Sequence, residues 1–175
     1  EVRYATCDAD YARRVQLMLL GSQSQFNAWE RGDLPFDCTG DMWDMFQRHY
    51  DLRARLFPYL YTAFYTQSIT GFPIVGPLPL SFPAETNARH TDDQFMLGPS
   101  LMFAPAGVAV VANPSNASEM KGITGATNAT TRSVLFPGKD ATDKTVWWDY
   151  WTASVAATAS TTKVMHTPIL DAPLY

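Results

Sequence analysis

The repeat of apolar residues changes partway along the chain, and this change constrains the fold more than any other feature. Up to about residue 85, apolar side chains recur at the three- to four-residue spacing of a buried helix face, with short extended stretches between these runs. Beyond about residue 92, short strand-like runs are separated by turn residues. The first pattern predicts a parallel α/β layer and the second an antiparallel β-sandwich. We therefore predict two domains, α/β over residues 1–85 and all-β over residues 86–175.

Turn residues and helix caps place the individual elements. In the first region they predict, in chain order, a helix over residues 11–20, a buried strand over 24–29, a helix over 41–70 that ends at Gly71, and an extended stretch over 72–80. Pro58 removes one backbone hydrogen bond from the second helix, so that helix is expected to kink or divide there. In the second region the predicted strands lie within residues 95–105, 133–136, 146–151 and 163–170, with a long exposed loop over 107–132.

The charge balance and the apolar runs exclude two classes of partner. The chain has 13 Lys and Arg against 17 Asp and Glu, and its basic residues form no cluster. That balance argues against nucleic acid and against an anionic membrane surface. Each long apolar stretch is interrupted before the roughly 20 residues that a membrane span needs, so no span is predicted. The chain begins without Met and ends on an apolar run, so we expect both ends to be cuts in a longer polypeptide.

No short catalytic or cofactor-binding signature is present. The sequence lacks a Gly-rich phosphate loop, a Cys-X-X-Cys pair, a His-Glu-X-X-His motif and a Gly-X-Ser-X-Gly motif. The three histidines, His49, His90 and His166, share no ligand spacing. We therefore predict neither a metal site nor a cofactor.

Two sequons indicate a compartment. Asn116 begins Asn-Ala-Ser and Asn128 begins Asn-Ala-Thr, both inside the predicted exposed loop. Their N-glycosylation would place the protein in the secretory pathway, as an extracellular or lysosome-like protein. We expect both residues to be exposed and at least one to carry a glycan.

Four longer phrases of sequence are more specific than any short motif. They are YDLRARLFPYLY over residues 50–61, GFPIVGPL over 71–78, DDQFMLGPSLMFAP over 92–105 and WWDYWT over 147–152. In this order and at this spacing they resemble glycoside hydrolase family 31, the α-glucosidase and α-xylosidase family. The third phrase is the most diagnostic, because a chance match over fourteen positions is very rare. The resemblance covers nearly the whole chain apart from the loop over 107–132.

The resemblance implies a (β/α)8 barrel followed by β-sandwich domains. Residues 1–85 then correspond to the last two βα units of the barrel, with the seventh strand near 24–29 and the eighth near 72–78. Residues 86–175 correspond to the proximal C-terminal sandwich, cut before its last strands. Two parallel strands cannot close a barrel, so this piece is expected to need the missing N-terminal part of the same enzyme as its partner.

The resemblance also implies where the chemistry lies. Family members are retaining enzymes whose nucleophile and acid/base carboxylates stand on strands upstream of this chain, so no catalytic residue is assigned here. Barrel enzymes place function at the carboxyl ends of strands, which makes Asn27, Trp29 and Glu30 the candidate substrate-binding residues. Trp29 would stack on a sugar face or simply pack beneath the loop, and Asn27 would hydrogen-bond a hydroxyl. Many family members have Arg-X-His here, so the departure puts the usual sugar preference in doubt. Other prominent residues are assigned to the core or the domain interface: Met42, Met45, Tyr50, Trp147, Trp148 and Trp151.

The leading functional reading is part of a retaining α-glycoside hydrolase or transglycosylase that acts on an α-glucoside or α-glucan. This chain would contribute barrel wall and substrate-subsite loops and would be inactive alone. One alternative is an α-glucan lyase of the same family. The other is a catalytically inactive relative that serves as a sugar-binding or structural glycoprotein.

The implied barrel also bears on the two cysteines. Cys7 precedes the first helix and Cys38 the second, which would place both on neighbouring loops at the top of the barrel. Loops rising from strands about 4.8 Å apart can bring two Cα atoms within bridging distance. A Cys7–Cys38 disulfide is therefore expected in an oxidising compartment, the alternative being two buried thiols.

Overall fold

A computed structural model of the protein describes residues 9–26, 34–106, 131–140, 142–168 and 170–175. The helices are α1 (Ala9–Leu20), α2 (Asp41–Thr70) and the single turn α3 (Leu78–Ser81), with 3-10 turns at Pro35–Asp37 and Asn87–His90. The strands are β1 (Val75–Pro77), β2 (Phe95–Leu97), β3 (Leu101–Phe103), β4 (Thr131–Phe136), β5 (Val146–Trp148), β6 (Val155–Thr158) and β7 (Thr161–His166). Within these ranges, no helix is long and apolar enough to cross a membrane.

Local sequence sets the end of the long helix α2. Gly71 follows the helix with φ 76°, in the left-handed region that favours glycine, and its N–H donates to the carbonyl oxygen of Gln67 at 2.8 Å. The predicted helix end is therefore confirmed. Pro58 lies inside α2 without dividing it. Because Pro58 is exposed, the carbonyl that loses its partner lies on a face open to water.

The stretch after α2 differs from its prediction. Only Val75–Pro77 form a strand, and β1 pairs antiparallel with β2 rather than lying in a parallel layer. The chain then turns into α3. Pro79 lies in the first turn of α3, where backbone N–H groups have no helical partner, so its missing N–H costs no hydrogen bond. Residues 24–26, the described part of the predicted seventh strand, belong to no strand. No strands pair in parallel within the described ranges, and the barrel remains a prediction.

The second region forms small antiparallel sheets, as predicted. The described sheets have the orders β1-β2-β3, β4-β7 and β5-β6. Each predicted strand-like run contains a strand, and a turn at Gly98 divides the first run into β2 and β3. The sequence does not predict β6, because its Val-Ala-Ala-Thr sequence has weak β-forming character. Residues 107–130 of the predicted loop lie outside the described ranges, and β4 begins at Thr131.

The buried apolar side chains form clusters that join helices to sheets. One cluster lies between α1 and α2, and another lies among the sheets. The cluster between these two contains Leu52, Leu56 and Leu60 of α2, together with Ile74, Leu97, Phe103 and Leu174. The first sheet crosses the predicted boundary at 85/86, since β1 lies before it and β2 after it. The division into domains at that point stays a prediction.

Candidate functional site

The candidate substrate-binding residues Asn27, Trp29 and Glu30 belong to residues 27–33, which lie outside the described ranges, so the structure does not place them. It does describe the chain on both sides of these residues. We call residues 21–26 the upstream flank and residues 34–38 the downstream flank. The contacts that hold these flanks fix the two points between which residues 27–33 run.

Arg53 on α2 holds the upstream flank. Its Nη1 donates to the carbonyl oxygens of Leu19 at 2.6 Å and Gly21 at 2.7 Å, and its Nη2 donates to that of Ser22 at 3.4 Å. These carbonyls lie at the end of α1, where helical partners run out and a cation is favoured. Burial lowers the pKa of Arg53. The guanidinium thus fixes the direction in which the chain leaves α1.

The downstream flank is held by its own turn and by a buried cysteine. The N–H of Leu34 donates to Oδ2 of Asp37 at 2.9 Å, and the N–H of Asp37 donates to the carbonyl oxygen of Leu34 at 2.8 Å. Cys38 is buried in the cluster between α1 and α2, and its Sγ lies 3.7 Å from the carbonyl oxygen of Leu34. Cys7 lies outside the described ranges. The Cys7–Cys38 disulfide therefore stays a prediction.

Arg132 holds both ends of the second undescribed segment, which carries Asn116 and Asn128. Its Nη2 donates to Oδ2 of Asp93 at 2.6 Å, and its Nη1 donates to the carbonyl oxygen of Pro105. Arg132 follows the segment and Pro105 precedes it, so one side chain ties its two ends together. The structure does not place either asparagine, and their glycosylation stays a prediction.

A third set of polar groups joins the helices to the chain beyond β7. Arg13 of α1 is buried and donates to the carbonyl oxygens of Thr167 at 2.5 Å and Pro168 at 3.1 Å. Burial lowers its pKa to about 10. Arg48 of α2 pairs with Asp171 at 2.7 Å, and burial raises the pKa of that carboxyl group. We call residues 170–175 the terminal segment; Arg48 holds it to α2 through Asp171, and Arg13 holds the residues just before it to α1.

Tyr59 fixes α2 against the turn between β2 and β3. Its hydroxyl donates to the carbonyl oxygen of Leu97 at 2.7 Å and accepts from the N–H of Ser100 at 3.0 Å. Gly98 within this turn has φ 63°, and a Cβ added there would lie 2.5 Å from the Tyr59 hydroxyl oxygen. Both the backbone conformation and the close approach therefore require glycine at position 98.

The aromatic residues assigned to the core divide into buried and exposed ones. Trp147 is buried, and its Nε1 donates to the carbonyl oxygen of Pro137 at 3.0 Å. Trp148, the next residue of β5, is 54% exposed, because successive side chains of a strand point to opposite faces. It lines a cavity of about 390 Å³ together with Tyr150. Tyr50 is 59% exposed, so the prediction of a core position is wrong for Tyr50 and Trp148, and a place of Trp148 at a domain interface stays a prediction.

The buried basic residues of the described ranges, Arg13 and His49, make structural contacts. Within the described ranges, no three His, Cys, Asp or Glu side chains cluster closely enough to hold a metal ion. Sequence reasoning missed the roles of Arg53 and Arg132, because their partners are largely backbone carbonyls, which leave no side-chain motif. The phrase over residues 50–61 does contain Arg53, and the phrase over 92–105 contains Asp93. Those two phrases were the signal that was available.

Comparison with known proteins agrees with the family resemblance of the four sequence phrases. The sequence model described as the glycosyl hydrolase family 31 C-terminal domain matches residues 71–175. An uncharacterized family 31 glucosidase of Schizosaccharomyces pombe is 32% identical over 105 residues, which cover 60% of this chain and 8% of that protein. Alpha-glucosidase 2 of Bacillus thermoamyloliquefaciens is 29% identical over 109 residues, covering 62% of this chain and 11% of that protein.

Solved structures show the same fold. A GH31 dextranase of Flavobacterium johnsoniae matches with a TM-score of 0.72 at 21% identity, covering 95% of this chain and 18% of that one. A GH31 alpha-xylosidase from a soil metagenome matches with a TM-score of 0.70 at 19% identity, covering 95% of this chain and 24% of that one. The chain spans about a tenth of the length of the curated relatives it matches.

Proposed function

Because this chain belongs to glycoside hydrolase family 31, we propose that it is part of a retaining α-glycoside hydrolase or transglycosylase that acts on α-glucosides or α-glucans. The observation that carries the proposal is the family match over residues 71–175. Relatives named as glucosidases support the substrate class, since one is 32% and another 29% identical to this chain.

The chemistry of such an enzyme needs two carboxyl groups about 5–5.5 Å apart, one as nucleophile and one as acid and then base. We assign neither to this chain. Several described carboxylates make structural contacts, among them Asp93 with Arg132, Asp171 with Arg48, and Asp37 with the N–H of Leu34. In this proposal the chain supplies barrel wall and one substrate loop, over residues 27–33. Arg53 and Cys38 support that loop from its two flanks.

The proposed partner of this chain is the rest of the same enzyme. Four apolar residues lie four positions apart on α2, which places them on one face of the helix. They are 64–70% exposed: Phe57, Tyr61, Tyr65 and Ile69, which we call the aromatic stripe. An exposed apolar strip of this size is typical of a surface that packs against another part of a protein. The match to about a tenth of the length of the relatives supports the same conclusion.

A product assay tests the proposed function and its alternatives. The full-length protein is incubated with maltose, isomaltose and an α-glucan, and the products are followed by proton NMR. A retaining hydrolase releases glucose whose first-formed anomer is α, and a transglycosylase forms longer glucosides as well. An unsaturated anhydro sugar would identify a lyase. Binding of glucoside without any product would favour the inactive, sugar-binding alternative, and neither binding nor product would contradict the proposal.

We further propose that the protein enters the secretory pathway, with glycan on Asn116 or Asn128 and a Cys7–Cys38 disulfide. The two sequons support this, because a protein glycosylated at them passes through an oxidising compartment in which a disulfide can form. Mass spectrometry of native protein after glycosidase treatment tests the first part. Alkylation without reduction tests the second, because two modified cysteines in native protein would contradict a disulfide.

A further inference from the structure

His49 lies in the middle of α2 and is completely buried. Its imidazole contacts the terminal segment across a long stretch of sequence, since Nε2 lies 3.0 Å from the backbone nitrogen of Ala172. The ring also meets the ring of Trp151 edge-on, with centroids 5.8 Å apart. His49 is therefore a direct link between the helices and the chain beyond β7.

The two hydrogen bonds of this imidazole define its protonation state. Nδ1 lies 2.8 Å from the carbonyl oxygen of Met45, and a carbonyl can only accept, so Nδ1 carries the hydrogen. Nε2 faces the N–H of Ala172, which can only donate, so Nε2 must be without a hydrogen. The geometry thus requires the neutral Nδ1–H tautomer. A proton on Nε2 would set two N–H groups against each other inside the core.

The charged groups around His49 oppose that proton as well. The positive charges of Arg48 on the same helix and of Arg13 on α1 both act on it, and the carboxylate of Asp171, one residue before Ala172, is paired with Arg48. The guanidinium of Arg48 also lies 4.6 Å from the centre of the Trp151 ring. Burial first, and then these two arginines, lower the pKa of His49 to about 4 despite the bond to Met45.

The terminal segment is also bound to the sheets. The N–H of Met102 in β3 donates to the carbonyl oxygen of Tyr175 at 2.7 Å, and the N–H of Tyr175 donates to that of Met102 at 2.9 Å. Trp151 Nε1 donates to the carbonyl oxygen of Ala172 at 2.7 Å. Ala172 therefore receives a sheet-side contact through its carbonyl and a helix-side contact through its N–H.

We propose that His49 is an acid-labile latch that fastens the terminal segment to α2, and that its protonation releases the Ala172 N–H and loosens the helices from the sheets. The bonds to β3 do not involve a titrating group, so the segment stays on the sheets when the latch opens. The transition is local and reversible, and it does not depend on the proposed catalytic function.

Hydrogen exchange of the full-length protein, measured by mass spectrometry at several pH values, tests the latch. After correction for the intrinsic pH dependence of exchange, protection of the peptide containing Ala172 should fall roughly tenfold or more between pH 6.5 and pH 4. In His49→Gln the side chain cannot titrate, so the acid loss of protection should be much smaller than in the natural protein. His90→Gln, at an exposed histidine, is the matched control and should behave as the natural protein does.

Two outcomes would overturn the latch. The first is an undiminished acid loss of protection in His49→Gln. The second is that the acid loss of protection disappears in the single variant Asp171→Asn, which would assign the effect to the ion pair between Asp171 and Arg48. If His49→Gln does not fold, exchange of the imidazole C2 hydrogen in the natural protein measures the titration of each histidine directly. A midpoint for His49 at or above the ordinary histidine value of about 6.5 would contradict the proposal.

Discussion

Two arginines hold the segments that carry the predicted functional residues, and they do so in different ways. Arg53 donates to three carbonyl oxygens, all of which precede residues 27–33, so it fixes only the entry of that loop. Arg132 binds Pro105 before residues 107–130 and itself follows them, with Asp93 as its counter-ion. The position at which the chain enters residues 27–33 therefore depends on α2, which bears Arg53. The distance between the two ends of residues 107–130 depends mainly on the contacts of Arg132.

The largest expected effect is that of Arg53→Ala. The change removes three charged hydrogen bonds and leaves carbonyls at the end of α1 unpaired, which should lower the free energy of unfolding by about 3–4 kcal/mol. Arg55→Ala, two residues along on an exposed position of α2, is the matched control and should cost less than about 0.5 kcal/mol. Urea unfolding of the full-length protein measures both. An equal decrease in the free energy of unfolding for the two variants would show that the hydrogen bonds of Arg53 do not stabilise the fold.

A pH series sharpens the comparison between the two arginines, because the buried His49 lies on α2, the helix that bears Arg53, and not on β4, which bears Arg132. The pKa of His49 is about 4 in the folded protein, below its ordinary value of 6.5. The unfolded chain therefore binds the proton more readily, and the stability contributed by neutral His49 is fully present above pH 6.5 and lost as pH falls towards 4. The loss should reach about 3 kcal/mol at most.

Denaturant unfolding at pH 6.5 and pH 4 measures this loss. His49→Gln should show a smaller decrease between the two pH values than the natural protein does. An identical decrease would mean that other groups account for the acid sensitivity.

Arg132→Ala should have a smaller effect on stability and a local effect on the loop. The pair with Asp93 is partly exposed, so the loss should be about 1 kcal/mol. Without the tie between Pro105 and Arg132, residues 107–130 should be cleaved faster in limited proteolysis, while residues 27–33 are unaffected. Asp93→Asn keeps the carbonyl contact and should give an intermediate rate. Faster cleavage within residues 27–33 would contradict the separation of the two loops.

Tyr59→Phe should have a comparably small effect on stability, because the hydrogen bonds of Tyr59 involve no charged group. The change removes the bonds to Leu97 and Ser100 but leaves the ring in place, which should cost about 1 kcal/mol. Tyr50→Phe, at an exposed position of the same helix outside the aromatic stripe, should cost almost nothing in the full-length protein. A thermal unfolding midpoint that is equal for the two variants would show that the turn does not depend on Tyr59.

Sequence alone predicts the elements whose ends are set locally. Gly71 ends α2 through its own left-handed conformation, so its neighbours suffice to identify the end. The pairing of β1 is different, because residues 72–80 are apolar and rich in proline, and only contact with β2 decides their arrangement. The exposure of Trp148 likewise follows from the side of β5 on which it falls. Composition carries no information about that side.

The candidate site was predictable to a lesser extent. The family resemblance suggested Asn27, Trp29 and Glu30 as substrate-binding residues and assigned no catalytic carboxylate to this chain, and both remain predictions. Arg53 and His49 support their surroundings through backbone atoms far away in sequence, such as the N–H of Ala172. Every residue has such atoms, so no side-chain pattern marks the partner. These contacts required coordinates.

The contact between Tyr59 and Gly98 has a consequence for how this sequence can vary. Tyr59 belongs to the phrase over residues 50–61 and Gly98 to the phrase over 92–105, so two separate stretches of sequence are the two halves of one contact. A side chain at position 98 would push the tyrosine ring and with it the helix, whereas a smaller residue at position 59 would open a gap over the turn. The substitutions that position 98 tolerates therefore depend on the residue at position 59, and the reverse is also true. We expect these two positions to change together or not at all.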